Sequence, residues 1–493
     1  MTAQPKAVDS TEEIDRKRRR LVLAICCMSL LIVGLDNTIV NVALPSIGHE
    51  LHTTVSGLQW TVDAYTLVLA SLLMLSGSMA DRLGRRRVFE TGLALFTIAS
   101  LLCSLAPSLG WLIAFRMLQA IGGSMLNPVA MSIIRNTFTD PRERAQAIGM
   151  WGATVGVSLA LGPVVGGALV QSAGWRSIFW INIPVGILAF LLTMRFVPES
   201  RAPHARRLDP VGQILVIVLL AALTYGIIEA PSAGWLSGQT LGLFALAALA
   251  VGGLLAYERR RIEPLLEMRF FRSVPFSSAS AIAVLAFSGL GAFLFLNTLY
   301  LQEARHLSAL SAGLYTLPIA AMTLIFAPLS GRLVGRRGPR GGLLAGGLGI
   351  MIGGALMTRI GPHTALVSLL PAYFIFGIGF GMVNPPITNT AVLGMPPAQA
   401  GVAAAVASTS RQVGQTLGVA VAGAIAAAGA GTVGPGFAHA SHSAWWLVGA
   451  CGLLILLLGL ASTTDWANAS AKRVADGFDG PLGEAAGARA ARA

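Results

Sequence analysis

Gly122-Gly123-Ser124-Met125-Leu126-Asn127-Pro128 and Gly379-Phe380-Gly381-Met382-Val383-Asn384-Pro385 carry glycine, methionine, asparagine and proline in the same places, 257 residues apart. A second echo has a similar spacing: Asp81-Arg82-Leu83-Gly84-Arg85-Arg86 returns as Gly331-Arg332-Leu333-Val334-Gly335-Arg336-Arg337, with one residue inserted. Repetition at this distance points to two related units in one chain. Both copies lie in or beside long apolar runs, so each unit reads as a bundle of membrane helices.

Composition supports that reading. The 493 residues are 54% hydrophobic and 12% charged, with mean hydropathy +0.70, against about 25% charged in soluble domains. A membrane helix needs about 20 mostly apolar residues, and fourteen segments qualify: 21–44, 57–80, 88–106, 111–134, 144–171, 175–197, 210–230, 239–257, 276–302, 308–334, 341–360, 364–393, 398–428 and 444–463. The expected architecture is all-α and integral to the membrane. Two parallel six-helix halves (21–197 and 276–463) flank a central stretch (198–275) that holds two additional helices and their cytoplasmic loops. A cytoplasmic N-tail (1–20) and a C-tail (464–493), expected to be disordered, complete the chain. Parallel repeats of this kind place a substrate site between the halves.

The apolar run after Arg20 continues past Asp36 to Leu44 without a small-residue cleavage site, so the first segment is a retained helix rather than a signal peptide. With the N-terminus inside, 30 of the 35 Lys and Arg residues fall in cytoplasmic segments. The positive-inside rule therefore puts both termini in the cytoplasm of a multi-pass cell-membrane protein. Topology thus accounts for the +13 net charge without nucleic acid. Cys26, Cys27, Cys103 and Cys451 lie in apolar runs without metal-ligand spacing and read as packing residues.

Charges inside the spans carry the functional reading, because an ionised side chain at membrane depth costs at least about 2.5–3.5 kcal/mol and needs a partner or a wet cavity. Counting about 1.5 Å per residue from each span's outer end puts Asp36, Asp63 and Arg116 about 12, 9 and 8 Å deep. All three are expected in one layer, where a salt bridge could be disturbed by a proton or a cationic substrate. Desolvation raises a carboxylate's pKa and a neighbouring arginine lowers it, so a conformational change that alters either alters proton affinity. The alternative is an ion pair that only locks two helices together. Glu229, at the outer end of the seventh span, reads as solvated. The position 257 beyond Arg116 is Tyr373, so the second half lacks that charge, and Arg411 is its main basic residue at depth.

Leu35-Asp36-Asn37-Thr38-Ile39-Val40-Asn41-Val42-Ala43-Leu44-Pro45 resembles the first-helix signature of the fourteen-span drug:proton antiporter branch of the major facilitator superfamily. Gly77-Ser78-Met79-Ala80-Asp81-Arg82-Leu83-Gly84-Arg85-Arg86-Arg87 is similar to that family's loop motif between helices two and three. Phe115-Arg116-Met117-Leu118-Gln119-Ala120-Ile121-Gly122-Gly123 resembles its fourth-helix motif, and Gly156 to Gly167, with Gly162-Pro163 and Gly166-Gly167, its fifth-helix antiporter motif. The resemblance implies that Arg116 takes part in proton transfer. It also implies that Gly77, Asp81, Arg82, Gly84, Arg85 and Arg86 form a gating loop that stabilises the outward-facing state, and that the fifth helix marks an exporter.

The leading expectation is a proton-coupled secondary exporter of small hydrophobic or amphipathic compounds, including drugs, functional as a monomer in the lipid bilayer. No Gly-x-x-x-x-Gly-Lys-[Ser/Thr] loop is present, so neither ATP hydrolysis nor a cofactor is expected. The seven histidines are scattered through loops without ligand spacing, which argues against a metal site or a membrane enzyme. A dedicated exporter of one metabolite, lipid or self-made antibiotic remains the alternative, and a non-transporting sensor a further one. Aromatic and amide side chains suit amphipathic ligands, which makes Trp60, Tyr65, Asn297, Tyr300, Tyr373, Asn384 and Arg411 the cavity candidates.

Overall fold

The computed structural model describes residues 16–202, 208–261, 264–393, 395, 397–430 and 437–479, and its regular structure is helical, with no strand among those residues. The first half comprises α1 (Arg16–Leu51), α2 (Val55–Leu83), α3 (Arg85–Ser104), α4 (Leu109–Thr137), α5 (Pro141–Ala173) and a sixth crossing made of α6 (Ser177–Trp180) and α7 (Asn182–Phe196). The additional pair is α8 (Pro210–Ala233) and α9 (Gly238–Glu258). The second half begins with α10 (Val274–Leu299), continued by a π-helical turn at Tyr300–Ala304, then α11 (Ala309–Arg337), α12 (Arg340–Met357), α13 (Leu370–Val392) and α14 (Pro397–Ala430). Short α15 (Phe437–Ala440) leads into α16 (His442–Ser462), and α17 (Asp465–Asp479) ends the described chain. Thirteen crossings among the described residues are long and apolar enough to span a membrane. The fourteenth is α14, 34 residues long and interrupted by Ser408-Thr409-Ser410-Arg411-Gln412, which packs against α10 and α2 inside the bundle.

Local chemistry sets where the helices stop. Asp140 caps α5, accepting the Arg142 and Glu143 N–H groups at 2.9 Å, with Pro141 in the first turn. Ser237, Ser273 and Ser308 cap α9, α10 and α11. Gly174, Gly234 and Gly338, all at positive φ, end α5, α8 and α11. The helices outrun their apolar cores: α1 has 36 residues, and the capped α2 and α11 have 29 each.

The C-tail corrects one expectation. From Asp465 to Asp479 it is helical rather than disordered. Ala467, Ser470 and Ala471 are buried, Ser470 Oγ accepts the Val274 N–H at 2.9 Å, and Phe478 packs on Phe270, ring centroids 5.8 Å apart. Apolar and small residues at helical spacing give the tail a surface to bury that its polar composition hides. Residues 480–493 lie outside the described residues.

The halves meet along two seams, α2 with α14 and α5 with α11. Both are tight toward the end of the bundle remote from Arg16. Gln59 Nε2 donates to the Ala420 carbonyl at 2.8 Å and the Val419 carbonyl at 3.3 Å, and Thr416 Oγ1 to Thr66 Oγ1 at 2.8 Å. α8 rides on the first seam. Leu220 packs with Leu67 and Ala70 of α2 and with Val413 of α14, and Gln213 Nε2 donates to the Ser71 carbonyl at 2.6 Å. The additional pair therefore touches both halves.

Candidate proton-coupling site

Asp36 and Arg116 meet in the interior of the first half. Arg116 Nη1 donates to Asp36 Oδ2 at 2.5 Å, with side chains 1% and 0% exposed. The other carboxylate oxygen accepts from Gln119 Nε2 at 2.9 Å and Asn182 Nδ2 at 3.1 Å. Ser100 Oγ accepts from the same two amides, at 2.8 and 3.4 Å. Gln119 lies three residues beyond Arg116 on α4, so both face α1, and its carbonyl oxygen accepts a second Arg116 bond at 2.6 Å. Arg116 Nε reaches the Thr61 carbonyl of α2 at 3.3 Å. The guanidinium lies over the Tyr65 ring, 4.2 Å from its centroid, and 5.9 Å from that of Phe179. One carboxylate thus gathers donors from α4 and α7, while its arginine holds α2.

A buried pair of this kind persists only when hydrogen bonds satisfy its remaining lone pairs and protons, and removing one member leaves an uncompensated charge. A proton on Asp36 cancels the charge that three donors converge on. It leaves the guanidinium with the Thr61 and Gln119 carbonyls and the Tyr65 ring. The contacts that join α1 to α4 and α7 thus depend on the charge of one carboxylate.

Asp63 lies at this depth but does not join the pair. It is fully buried, but its described partner is Thr66 Oγ1, at 3.5 Å, and its Oδ2 has none among the described residues. Position explains the difference. Tyr65, two residues on and about 200° around the helix, faces Arg116, whereas Asp63 shares a face with Gln59 and Thr66, which bond to α14. Depth alone suggested a three-charge cluster, but azimuth separates Asp63 from the pair.

The cavity candidates divide similarly. Trp60 Nε1 donates to Glu229 Oε1 at 2.9 Å, and its ring stacks on Tyr225 at 5.5 Å, so it faces α8 rather than a shared cavity. Glu229, expected to be solvated, accepts this bond and another from Ser56 at 2.7 Å. Tyr65 lies buried under Arg116. Tyr373 donates to Asn297 Oδ1 at 2.5 Å inside the second half, and Tyr300 to the Gly361 carbonyl at 2.9 Å. Asn384 is half-buried on α13, one turn before the exposed Thr388. Arg411 Nη2 donates to Thr388 Oγ1.

The loop after α2 is tied to its own half. Asp81 Oδ1 accepts from Arg85 Nη2 at 2.9 Å, and Arg86 Nε reaches Glu90 at 2.7 Å. Gly84 sits at φ 116°, in the region that favours glycine, and a side chain there would collide with the Glu199 carboxylate. Glu199 accepts the Arg86 and Arg87 N–H groups at 3.1 and 3.3 Å, capping α3 with a negative charge. Arg82 has no ion pair among the described residues, and a side chain added at Gly77 would meet only Pro128, at ordinary contact distance.

Helix α5 presents two close-packing faces. A methyl group at Gly162 would overlap the Thr38 hydroxyl and one at Gly166 would crowd Ile39, both on α1. Gly167 meets the backbone of Ala309 and Leu310, Gly313 meets the Pro163 carbonyl, and Gly156 meets Leu324, all on α11. Thr38 and Ile39 lie two and three residues beyond Asp36. The Asp36–Arg116 pair, the α1–α5 joint and the α5–α11 seam are thus contiguous.

Sequence reasoning did not single out Gln119, Asn182, Ser100 or Thr61. Gln119 could have been found from its spacing to Arg116. Asn182, at the start of α7, and the Thr61 carbonyl carry no signal without the packing.

A family model described as Major Facilitator Superfamily matches residues 26–419. Multidrug resistance protein Stp of Mycobacterium tuberculosis is 37% identical over 408 residues, 83% of this chain and 76% of that protein. The tetracenomycin C resistance and export protein of Streptomyces glaucescens is 36% identical over 412 residues, 83% of this chain and 76% of its own length. Among solved structures, a bacterial homologue of the human lysosomal transporter Spinster aligns with TM-score 0.65 at 18% identity, covering 93% of this chain and 98% of that one. A D-xylose–proton symporter aligns with TM-score 0.64 at 16% identity, over 90% and 97%.

Proposed function

Because the chain belongs to the major facilitator superfamily and its relatives are named for multidrug and antibiotic resistance, we propose that it is a proton-coupled antiporter exporting small amphipathic compounds. It acts as a single chain in the cell membrane with both termini cytoplasmic. The observation that carries the reading is the fully buried Asp36–Arg116 pair at 2.5 Å. With the arginine-rich loops inside, the tight ends of the two seams face outside, as an inward-facing state of such a transporter would have them.

Protonation of Asp36 removes the charge that holds Arg116, Gln119 and Asn182. Arg116 then relaxes from Thr61, one helical turn from Gln59 and Thr66 on the outer seam. Movement of α1 is passed through Thr38 and Ile39 to α5 and so to α11. Both seams are thereby linked to one proton. Asp63, buried on the α14 side of α2 without an ion pair among the described residues, is a second protonation point whose charged form favours seam opening, since opening lets water reach it.

The test is substrate-driven dissipation of a proton gradient in everted vesicles, comparing wild type with Asp36→Asn across cationic, neutral and acidic amphiphiles. Asp36→Asn should lower coupled transport about 100-fold or more, the loss typical of removing a proton-transfer group, while inserting normally. Undiminished coupling in this variant would exclude Asp36. A second reading, a dedicated exporter, draws on the relative named for tetracenomycin C alone; a response to a single compound in the same assay would favour it.

A further inference from the structure

Resting on the exporter reading above, we propose that the second half contains an anion-recognition subsite built on Arg411, and that the exported compounds include amphiphiles bearing an ionised acid group on an apolar body. The argument begins with what is missing from the sequence around it. Between residues 268 and 464 there is one carboxylate, Glu303. It stands at the outer end of α10, 3.0 Å from His49 of α1. Arg411 lies midway along α14, with no ion pair among the described residues. Its half supplies no other acid to meet it.

The first half does not supply one either. Asp36 is bound to Arg116, Gln119 and Asn182. Asp63 sits at the level of Thr416 to Ala420, as its neighbours' bonds to α14 show, about 10 Å farther out along the helix axis. A guanidinium at membrane depth without a counter-charge is costly, and its fork of donors matches carboxylate and phosphate-like oxygens.

The surroundings suit an acid with an apolar body. Nη2 is held by Thr388 Oγ1, which fixes the plane of the fork, while Nε is buried and has no partner among the described residues. The charge lies 5.9 Å from the Phe287 ring centroid. Phe287 packs edge-on against Phe380 at 5.2 Å, giving an aromatic wall beside the cation. Thr388 is exposed and Arg411 half-buried, so a ligand can approach. Positioned by a hydroxyl and backed by two phenyl rings, the arginine can orient an amphiphile with its acid group on the exposed side of the guanidinium and its apolar part on the wall.

Two dyes that share a skeleton but differ in a sulfonate provide the test: anilinonaphthalene sulfonate, an anion, and phenylnaphthylamine, its neutral counterpart, with cationic ethidium as a third probe. Binding is read by fluorescence titration of the full chain in phosphatidylcholine nanodiscs, with empty nanodiscs subtracted. Wild type, Arg411→Gln and Arg411→Lys are compared, each with a thermal melt. The proposal expects Arg411→Gln to weaken the sulfonate dye about tenfold or more, the worth of a charge-assisted bond, to leave phenylnaphthylamine within about twofold, and Arg411→Lys to restore part of the loss. Equal sulfonate binding by wild type and Arg411→Gln overturns it. So does a parallel loss of both dyes with a lowered melting temperature, which would make Arg411 a packing residue. Wild type that binds phenylnaphthylamine or ethidium but not the sulfonate rejects the subsite and leaves the exporter reading standing; wild type that binds none of the three removes that reading and the subsite together.

Discussion

Helices α1 and α4 of the first half, and α10 and α13 of the second, join at corresponding places with opposite chemistry. Tyr373 stands 257 residues after Arg116, and Asn297 stands within about one helical turn of the same offset from Asp36. Each pair spans 2.5 Å and is buried. The first is a carboxylate and a guanidinium; the second is an amide and a phenol. Tyr373 packs edge-on against Phe293, which also stacks on Phe376 at 4.3 Å and meets Trp445 at 5.0 Å. The neutral pair exchanges no proton near neutral pH and sits in a rigid aromatic core. On the proposed coupling, one architecture serves as a switch where it holds a carboxylate and as a strut where it holds an amide and a phenol.

The strongest way to break that comparison is to keep the charge and change its geometry. Arg116→Lys retains a cation but cannot reach Asp36, Gln119 and Thr61 at once. Loss of one charge-assisted bond is worth about 1.5–3 kcal/mol, so proton-coupled transport in vesicles should fall about tenfold or more. If a lysine transports with the wild-type pH profile, only a point charge matters, and the link through Thr61 to the outer seam is wrong.

The parts of this contrast visible in the sequence were those that hydropathy and depth report. Asp36 and Arg116 stood out because ions are rare in apolar segments, and the repeat and span count gave the two halves. Buried amides and hydroxyls carry no such penalty signal, which is why Gln119, Asn182 and Ser100 stayed hidden. Depth along a helix says nothing about direction around it, so Asp63 was grouped with the pair although it faces α14, and Trp60 was assigned to a cavity although it faces α8. Helix lengths were underestimated because capping residues such as Asp140 and Gly338, rather than hydropathy, set the ends. The order of α17 depends on Phe270 and Val274, nearly two hundred residues away in the chain, beyond the reach of local pattern.

A weaker challenge acts on the strut. Tyr373→Phe removes the phenol that bonds Asn297, whose Nδ2 already has no partner among the described residues. Leaving a buried amide unsatisfied costs about 1–3 kcal/mol. The melting temperature should fall by several degrees, while the pH dependence of transport, compared at matched protein levels, stays as in wild type. A shifted pH profile would mean that the second half shares in proton coupling, and the division between switch and strut would fail.

The smallest effect is expected where the loop echo departs from symmetry. After α2, Glu199 caps the start of α3 and lies 3.7 Å from Arg87. After α11, the equivalent turn has Gly338 at φ 77° and no side-chain cap on α12, and Arg332, Arg336, Arg337 and Arg340 have no ion pair among the described residues. The first loop is therefore anchored by acids of its own half and of the segment that directly follows it, and the second is not. Glu199→Gln should cost about 0.3–1 kcal/mol, the worth of one charge at a helix terminus, and the difference from wild type should shrink as salt is raised. Thermal melts at low and high ionic strength would measure it. A salt-independent loss would show that Glu199 holds the Gly84 turn by shape rather than by charge, and a loss of several kcal/mol would make the loop a structural anchor for the whole half instead of a locally capped turn.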